Sequence, residues 1–310
     1  MNKTSTEVVA TKNMTFRRSK TRISDKIIPF ILGICALLSV VTTIGIVYTL
    51  LQEAIVFFRE VPIWSFLTGT KWSPILPPKE FGVLPLLGGT LLITGIAIVF
   101  AVPIGLACAI YLNEYAPARV REVIKPILEV LAGIPTIVYG YFALETVTPF
   151  LQKFFPSMGI FNALSAGIVV GIMVLPMISS LSEDAMRAVP KTLRNGAYAL
   201  GATRFEVALK IVLPAALSGV VSSFVLAFSR AIGETMIVTV AAGATPQLTM
   251  NPLDSIQTMT AYIVQVSMGD VPRGTIEYGT IFAVGLTLFV ITFLLNILAQ
   301  WVARRFREEY

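Results

Sequence analysis

The stretch GVVSSFVLAFSRAIGETMIVTVAAGA, residues 219–244, places two full charges, Arg230 and Glu234, inside an otherwise apolar run. The solvent around that run decides the fold. The chain has 310 residues, of which 55% are hydrophobic and 14% charged. A soluble domain carries about 25% charged residues. So few charges cannot cover so much apolar area against water, so the solvent is lipid and the chain is an integral membrane protein.

Runs able to cross a roughly 30 Å hydrocarbon layer at about 1.5 Å per residue recur at 27–51, 83–111, 127–150, 163–181, 217–242 and 278–302. The expected class is all-α, a polytopic membrane protein with six transmembrane helices. Pro103, Pro135 and Pro176 lie inside spans and mark kinks. In LAGIPTIVYGYFAL (131–144), Gly133, Pro135 and Gly140 predict a bent, closely packed helix.

Orientation follows from Lys and Arg. Of 24 such residues, 18 fall on one side, in the N-terminal tail, the 112–126 loop, the 182–213 segment and the C-terminal tail. The opposite loops hold 5, and Arg230 lies in the membrane. Both termini are therefore expected in the cytoplasm. The predicted organisation is a basic cytoplasmic tail at 1–26, a transmembrane domain at 27–303 and a short tail at 304–310. The net charge of +6 is spent on topology, so nucleic acid is not an expected partner.

The chain has no histidine, which excludes histidine-based metal or acid–base chemistry, and no metal site is expected. Cys35 and Cys108 each sit in an apolar run without CxxC spacing, so no disulfide frame is read. No cleavable leader is expected. The outer segments FLTGTKWSPILPPKEFGVLP (66–85) and TPQLTMNPLDSIQTM (245–259) fit either ordered docking loops or plain connectors.

A charge at the bilayer centre costs roughly 3 kcal/mol on insertion scales, so such residues face a bundle interior, pair, or mark a path. On a continuous helix Arg230 and Glu234 lie one turn apart on one face and reach each other. They either line a path for an anion, for which arginine offers a planar fork of donors, or lock the helix as a structural ion pair. Thr136 and Tyr139 offer hydroxyls to the same path, or bond to backbone carbonyls. Glu129, near the start of the third span, is expected to be solvated or paired. SEDAMRAVP (182–190) reads as a helix end with local pairing among Glu183, Asp184 and Arg187.

The segment KTLRNGAYALGATRFEVALKIVLPAALSGV (191–220) is polar at its start and lies between spans four and five. Ala197 precedes Gly201 by four, nine residues separate Gly201 from Ile211, and Leu213-Pro214 follow. This resembles the signature loop of ABC-importer permeases, E-A-A-x3-G-x9-I-x-L-P. Asn195 stands at the glutamate position and Gly196 at the first alanine. A helix at about 191–210 is expected to dock on a separate ATPase, with Ala202, Arg204, Phe205 and Glu206 in the contact region. Gly201 allows a tight turn and Pro214 stops the helix. No GxxxxGK[ST] occurs, so the chain is not expected to hydrolyse ATP.

The order of further pieces, AVPIGLACAIYLNEYAP (101–117), LAGIPTIVYGYFAL (131–144), LPMISSLSEDAMRAVP (175–190) and SRAIGETM (229–236), resembles the permeases of bacterial phosphate importers, the PstC type. That resemblance implies the type I ABC-importer permease fold in a bacterial inner membrane. It implies a second permease subunit, two ATP-binding subunits that hold ATP and magnesium, and a periplasmic phosphate-binding protein. It also implies that Arg230 and Glu234 matter for phosphate passage. Rival readings are a permease for sulfate or molybdate, an ATP-independent channel or carrier, and a membrane sensor of phosphate.

Overall fold

The computed structural model describes residues 24–305, with side chains from 27 to 301. The tails predicted at 1–26 and 304–310 lie outside the described residues, apart from the helix ends at Ser24 and Arg305. The chain divides into two units, residues 1–49 and 50–310. In the first, the helix α1 (Ser24–Glu60) begins, and its side chains from Ile27 to Ile46 are all exposed. An apolar helix without an apolar partner in its own unit suits a lipid solvent.

Among its described residues the second unit is mostly helical, with one small hairpin. After α1 come α2 (Ile63–Thr68), the strands β1 (Trp72–Ser73) and β2 (Glu80–Phe81), and α3 (Leu84–Ile110). Next follow α4 (Ala118–Gly133), α5 (Thr136–Phe142), α6 (Thr148–Gln152), α7 (Ala163–Arg187), α8 (Lys191–Ala199), α9 (Arg204–Val207) and α10 (Leu213–Ala215). The last are α11 (Leu217–Ile232), α12 (Met236–Ala241), α13 (Met259–Met268) and α14 (Ile276–Arg305). Wide helical turns at Tyr111–Tyr115, Ala143–Val147 and Ala208–Val212 join neighbouring pieces.

Among the described residues four helices are long and apolar enough to span, and two bent pairs raise the number to six. The first, second, fourth and sixth expected spans are α1, α3, α7 and α14. The third is not one helix. Pro135 has no N–H to give and disfavours helix at Ile134, and α4 meets the following arm at 92°. The fifth is also broken. Alone, the 16 residues of α11 rise about 24 Å, short of the bilayer, and α12 resumes only after Gly233–Thr235.

The core is built on α3 against α7. Gly171 lies so close to α3 that a Cβ there would sit 2.9 Å from the Ala97 carbonyl oxygen. Gly140 lets α5 approach α12, where a Cβ would meet Val240 at 2.9 Å. Small residues permit such contacts where lipid supplies no hydrophobic drive between helices. A second cluster explains the first outer segment. Phe57, Phe66, Trp72 and Tyr262 meet edge to face around the hairpin, so residues 66–85 form an ordered cap. The second outer segment leads into α13, ten residues long, which is too short to cross a membrane.

Candidate functional site

A cavity of about 350 Å³ opens between α4, α7 and α11. Its walls are mostly apolar, with Leu128, Met173 and Pro176 among them, and its polar groups are Lys125, Glu129, Ser180 and Arg230. The stripe that α4 contributes is Lys125, Leu128, Glu129 and Ala132, the i, i+3, i+4, i+7 spacing of one helix face. Arg230 stands in the last turn of α11, where the helix dipole favours a cation. Among the described residues its guanidinium has no hydrogen-bond or ion-pair partner.

The expected pairing of Arg230 with Glu234 is overturned. A four-residue spacing brings two side chains together only on an unbroken helix, and α11 ends at Ile232. Glu234 is 8% exposed and is occupied elsewhere. Its Oε1 accepts the N–H groups of Met236 at 3.0 Å and Ile237 at 3.2 Å, two of the free donors that open α12. Its carbonyl accepts the Thr260 hydroxyl at 2.7 Å. The two charges of the opening stretch thus stand at a break, not in the middle of a helix.

Thr136 begins α5 and is half-buried, and Tyr139 is buried. The Tyr139 hydroxyl donates to the Leu131 carbonyl at 2.7 Å, a bond that ties the two arms of the α4–α5 bend. Neither residue lines the cavity. Glu129, expected to be solvated or paired, is exposed at the open cavity, with no ion-pair partner among the described residues.

The charged end of α7 is paired mainly across to α4 rather than within itself. Glu183 is fully buried; its oxygens lie 2.6 Å from Lys125 Nζ and 3.6 Å from Arg121 Nε, with Arg187 at 4.0 Å. Lys125 also donates to Asp184 at 3.1 Å. Lys125 is therefore committed while Arg230 is free.

The segment 191–214 is a helix, a turn and a second helical run. Gly201 has φ +84°, the left-handed region that suits glycine. The N–H of Ala202 reaches the Ala197 carbonyl at 3.1 Å and that of Gly201 reaches Tyr198 at 3.0 Å. This pair of bonds closes the end of α8 as a Schellman motif. Thr203 and Glu206 then cap α9 reciprocally. The Thr203 N–H and hydroxyl, with Lys210, hold the Glu206 carboxyl below the usual range. Pro214 cannot donate to the carbonyl four residues back; the run ends at Ala215 and the chain bends 74° into α11.

One face of this segment anchors it: Val207, Ala208 and Val212 are buried. Arg194 adds an ion pair to Glu114 at 3.1 Å and a bond to the Met186 carbonyl at 2.6 Å. Asn195 and Gly196 are exposed. At the tip Leu200 is 91% and Phe205 62% exposed, with Tyr198 beside them at 40%. Leu200 and Tyr198 escaped the sequence reading because the signature names its fixed positions only.

Residues 101–308 match the family described as binding-protein-dependent transport system inner membrane component. The chain belongs to that family. It is an ABC-importer permease subunit, multi-pass in the inner membrane. A probable ABC transporter permease protein, YqgH of Bacillus subtilis, is 37% identical over 87% of this chain and 88% of its own length. The phosphate transport system permease protein PstC of Mesorhizobium japonicum is 35% identical over 78% and 79%. A chain of a bacterial alginate ABC transporter superposes with TM-score 0.63 at 14% identity, covering 92% of this permease and 98% of that chain. A chain of the inward-facing MetNI methionine ABC transporter gives 0.58 at 18% identity over 73% and 97%. The two structures share the type I permease fold with this chain.

Proposed function

We propose that this permease carries phosphate inward and that the cavity holding Arg230 is part of its path. The observation that carries the reading is an exposed arginine at an open cavity between α4, α7 and α11, without a hydrogen-bond or ion-pair partner among the described residues. A guanidinium there is available to an anion, and its planar fork fits an oxyanion. Phosphate is favoured among oxyanions because PstC relatives share this sequence over most of their length. Glu234 serves the path indirectly, by fixing the break between α11 and α12 that ends the helix beside Arg230.

The machine has further parts. A second permease, two ATP-binding subunits carrying ATP and magnesium, and a periplasmic phosphate-binding protein complete it. Both termini face the cytoplasm. The exposed tip Tyr198–Leu200–Phe205 docks on the ATPase, and residues 195–214 transmit its movement to α7 and α11 through the buried Val207–Val212 face and Arg194. The test is labelled-phosphate uptake by the assembled complex in proteoliposomes, with sulfate or molybdate in excess. Uptake that needs ATP and resists both competitors supports phosphate import; labelled sulfate entering at an equal rate refutes it.

A further inference from the structure

Once Lys125 is set against Glu183 and Asp184, two charges lining the cavity, both exposed, remain without protein partners among the described residues: Arg230 on α11 and Glu129 on α4. The wall contributed by α7 adds the Ser180 hydroxyl and no charge. A carboxylate placed in an anion's path is unfavourable by simple electrostatics, since like charges disfavour each other. It becomes favourable for one kind of anion. A carboxylate accepts hydrogen bonds and donates none, whereas guanidinium only donates. The ligand that satisfies both walls is therefore an anion that also bears an O–H. Inorganic phosphate carries at least one O–H near neutral pH. Sulfate and molybdate carry none there, and meet Glu129 as a bare like charge. The cavity of about 350 Å³ has the volume of roughly ten liquid waters, ample for one tetrahedral oxyanion with part of its hydration shell.

We infer that Glu129 is a specificity-determining residue of the permease itself, accepting a hydrogen bond from a protonated oxyanion held by Arg230 and rejecting fully deprotonated ones. The inference rests on the reading of the cavity as an anion path, but goes beyond it. It places a selection step in the membrane subunit, after whatever selection a binding protein makes.

The test omits the binding protein, whose own selectivity masks the effect. The full chain in lipid nanodiscs is titrated into inorganic phosphate, and binding is read from ³¹P line broadening, with sulfate as competitor. The wild type is expected to bind phosphate with sulfate competing poorly. In Glu129→Gln, which can donate as well as accept, sulfate should gain on phosphate by roughly tenfold to a hundredfold, the factor of one charge-assisted hydrogen bond. Glu129→Asp keeps a carboxylate and should keep the preference. If phosphate binding is lost in Arg230→Gln but sulfate competes no better in Glu129→Gln than in wild type, the inference about Glu129 is overturned and the path stands. If phosphate binds Arg230→Gln as it binds wild type, or does not bind wild type at all, the path falls and the inference with it.

Discussion

Glu183 offers a sharp test of how α4 and α7 are held together. Its side chain is fully buried, with Lys125 Nζ at 2.6 Å. At an effective dielectric of about 20 that single contact is a gross attraction of about 6 kcal/mol. Desolvation of the carboxylate offsets most of it, and breaking such a buried pair from one side costs about 3–5 kcal/mol. The two directions are not equivalent here. Glu183→Met leaves Lys125 its Asp184 partner and leaves Arg121 its bond to the Leu112 carbonyl. Both side chains keep about a quarter of their surface exposed, so the cost should fall to about 2 kcal/mol. Lys125→Met instead leaves a carboxylate with no exposure, faced only by Arg121 at 3.6 Å and Arg187 at 4.0 Å. That variant should lose about 3–4 kcal/mol. The double variant removes the buried charge and should recover to within about 1 kcal/mol of wild type, as replacing both members of a buried pair can be nearly neutral. Unfolding midpoints in mixed micelles give all four corners of the cycle. A neutral Lys125→Met, or a double variant as unstable as the sum of the singles, refutes the reasoning.

Other outcomes follow from the same geometry. Gly201→Val forces a β-branched residue to φ +84° and should cost about 1–2 kcal/mol locally, seen as reduced phosphate-stimulated ATP hydrolysis; Gly201→Asn should be milder. Leu200→Asp touches a side chain that is 91% exposed, so stability should move by under about 0.5 kcal/mol, while co-purification of the ATP-binding subunit falls sharply. Tyr139→Phe removes the bond to Leu131 and should cost about 1 kcal/mol of thermal stability, with the KM for phosphate unchanged because Tyr139 does not line the cavity.

Most of the fold was legible because apolar length is a strong signal. Helices α1, α3, α7 and α14 fall where the apolar runs lie. Their ends differ where charged residues such as Asp184 and Arg187 continue a helix beyond the membrane. The breaks were harder. Pro135 signalled the bend at α4–α5, but Gly233 alone did not announce the end of α11, because glycine is tolerated inside transmembrane helices. That one miss produced the false pair of Arg230 with Glu234. The helix α13 was hidden by its length, since ten residues neither span a membrane nor stand out beside longer runs. The turn at Gly201 was readable because its motif fixes a backbone conformation. Glu129 was not, although the stripe of Lys125, Leu128, Glu129 and Ala132 lies in the sequence. A single helix face does not say what it faces, and only the approach of α7 and α11 makes it a cavity wall.

The most direct measurement compares phosphate uptake by wild type and Arg230→Gln in proteoliposomes containing the full complex. Basal ATP hydrolysis and subunit assembly are followed in the same preparations. The substitution keeps a polar, hydrogen-bonding side chain at this position and removes its charge. Uptake is expected to fall at least tenfold, the scale of one lost charge-assisted bond to an anion, with assembly and basal hydrolysis intact. Uptake at the wild-type rate in an intact complex would contradict an anion path through this cavity.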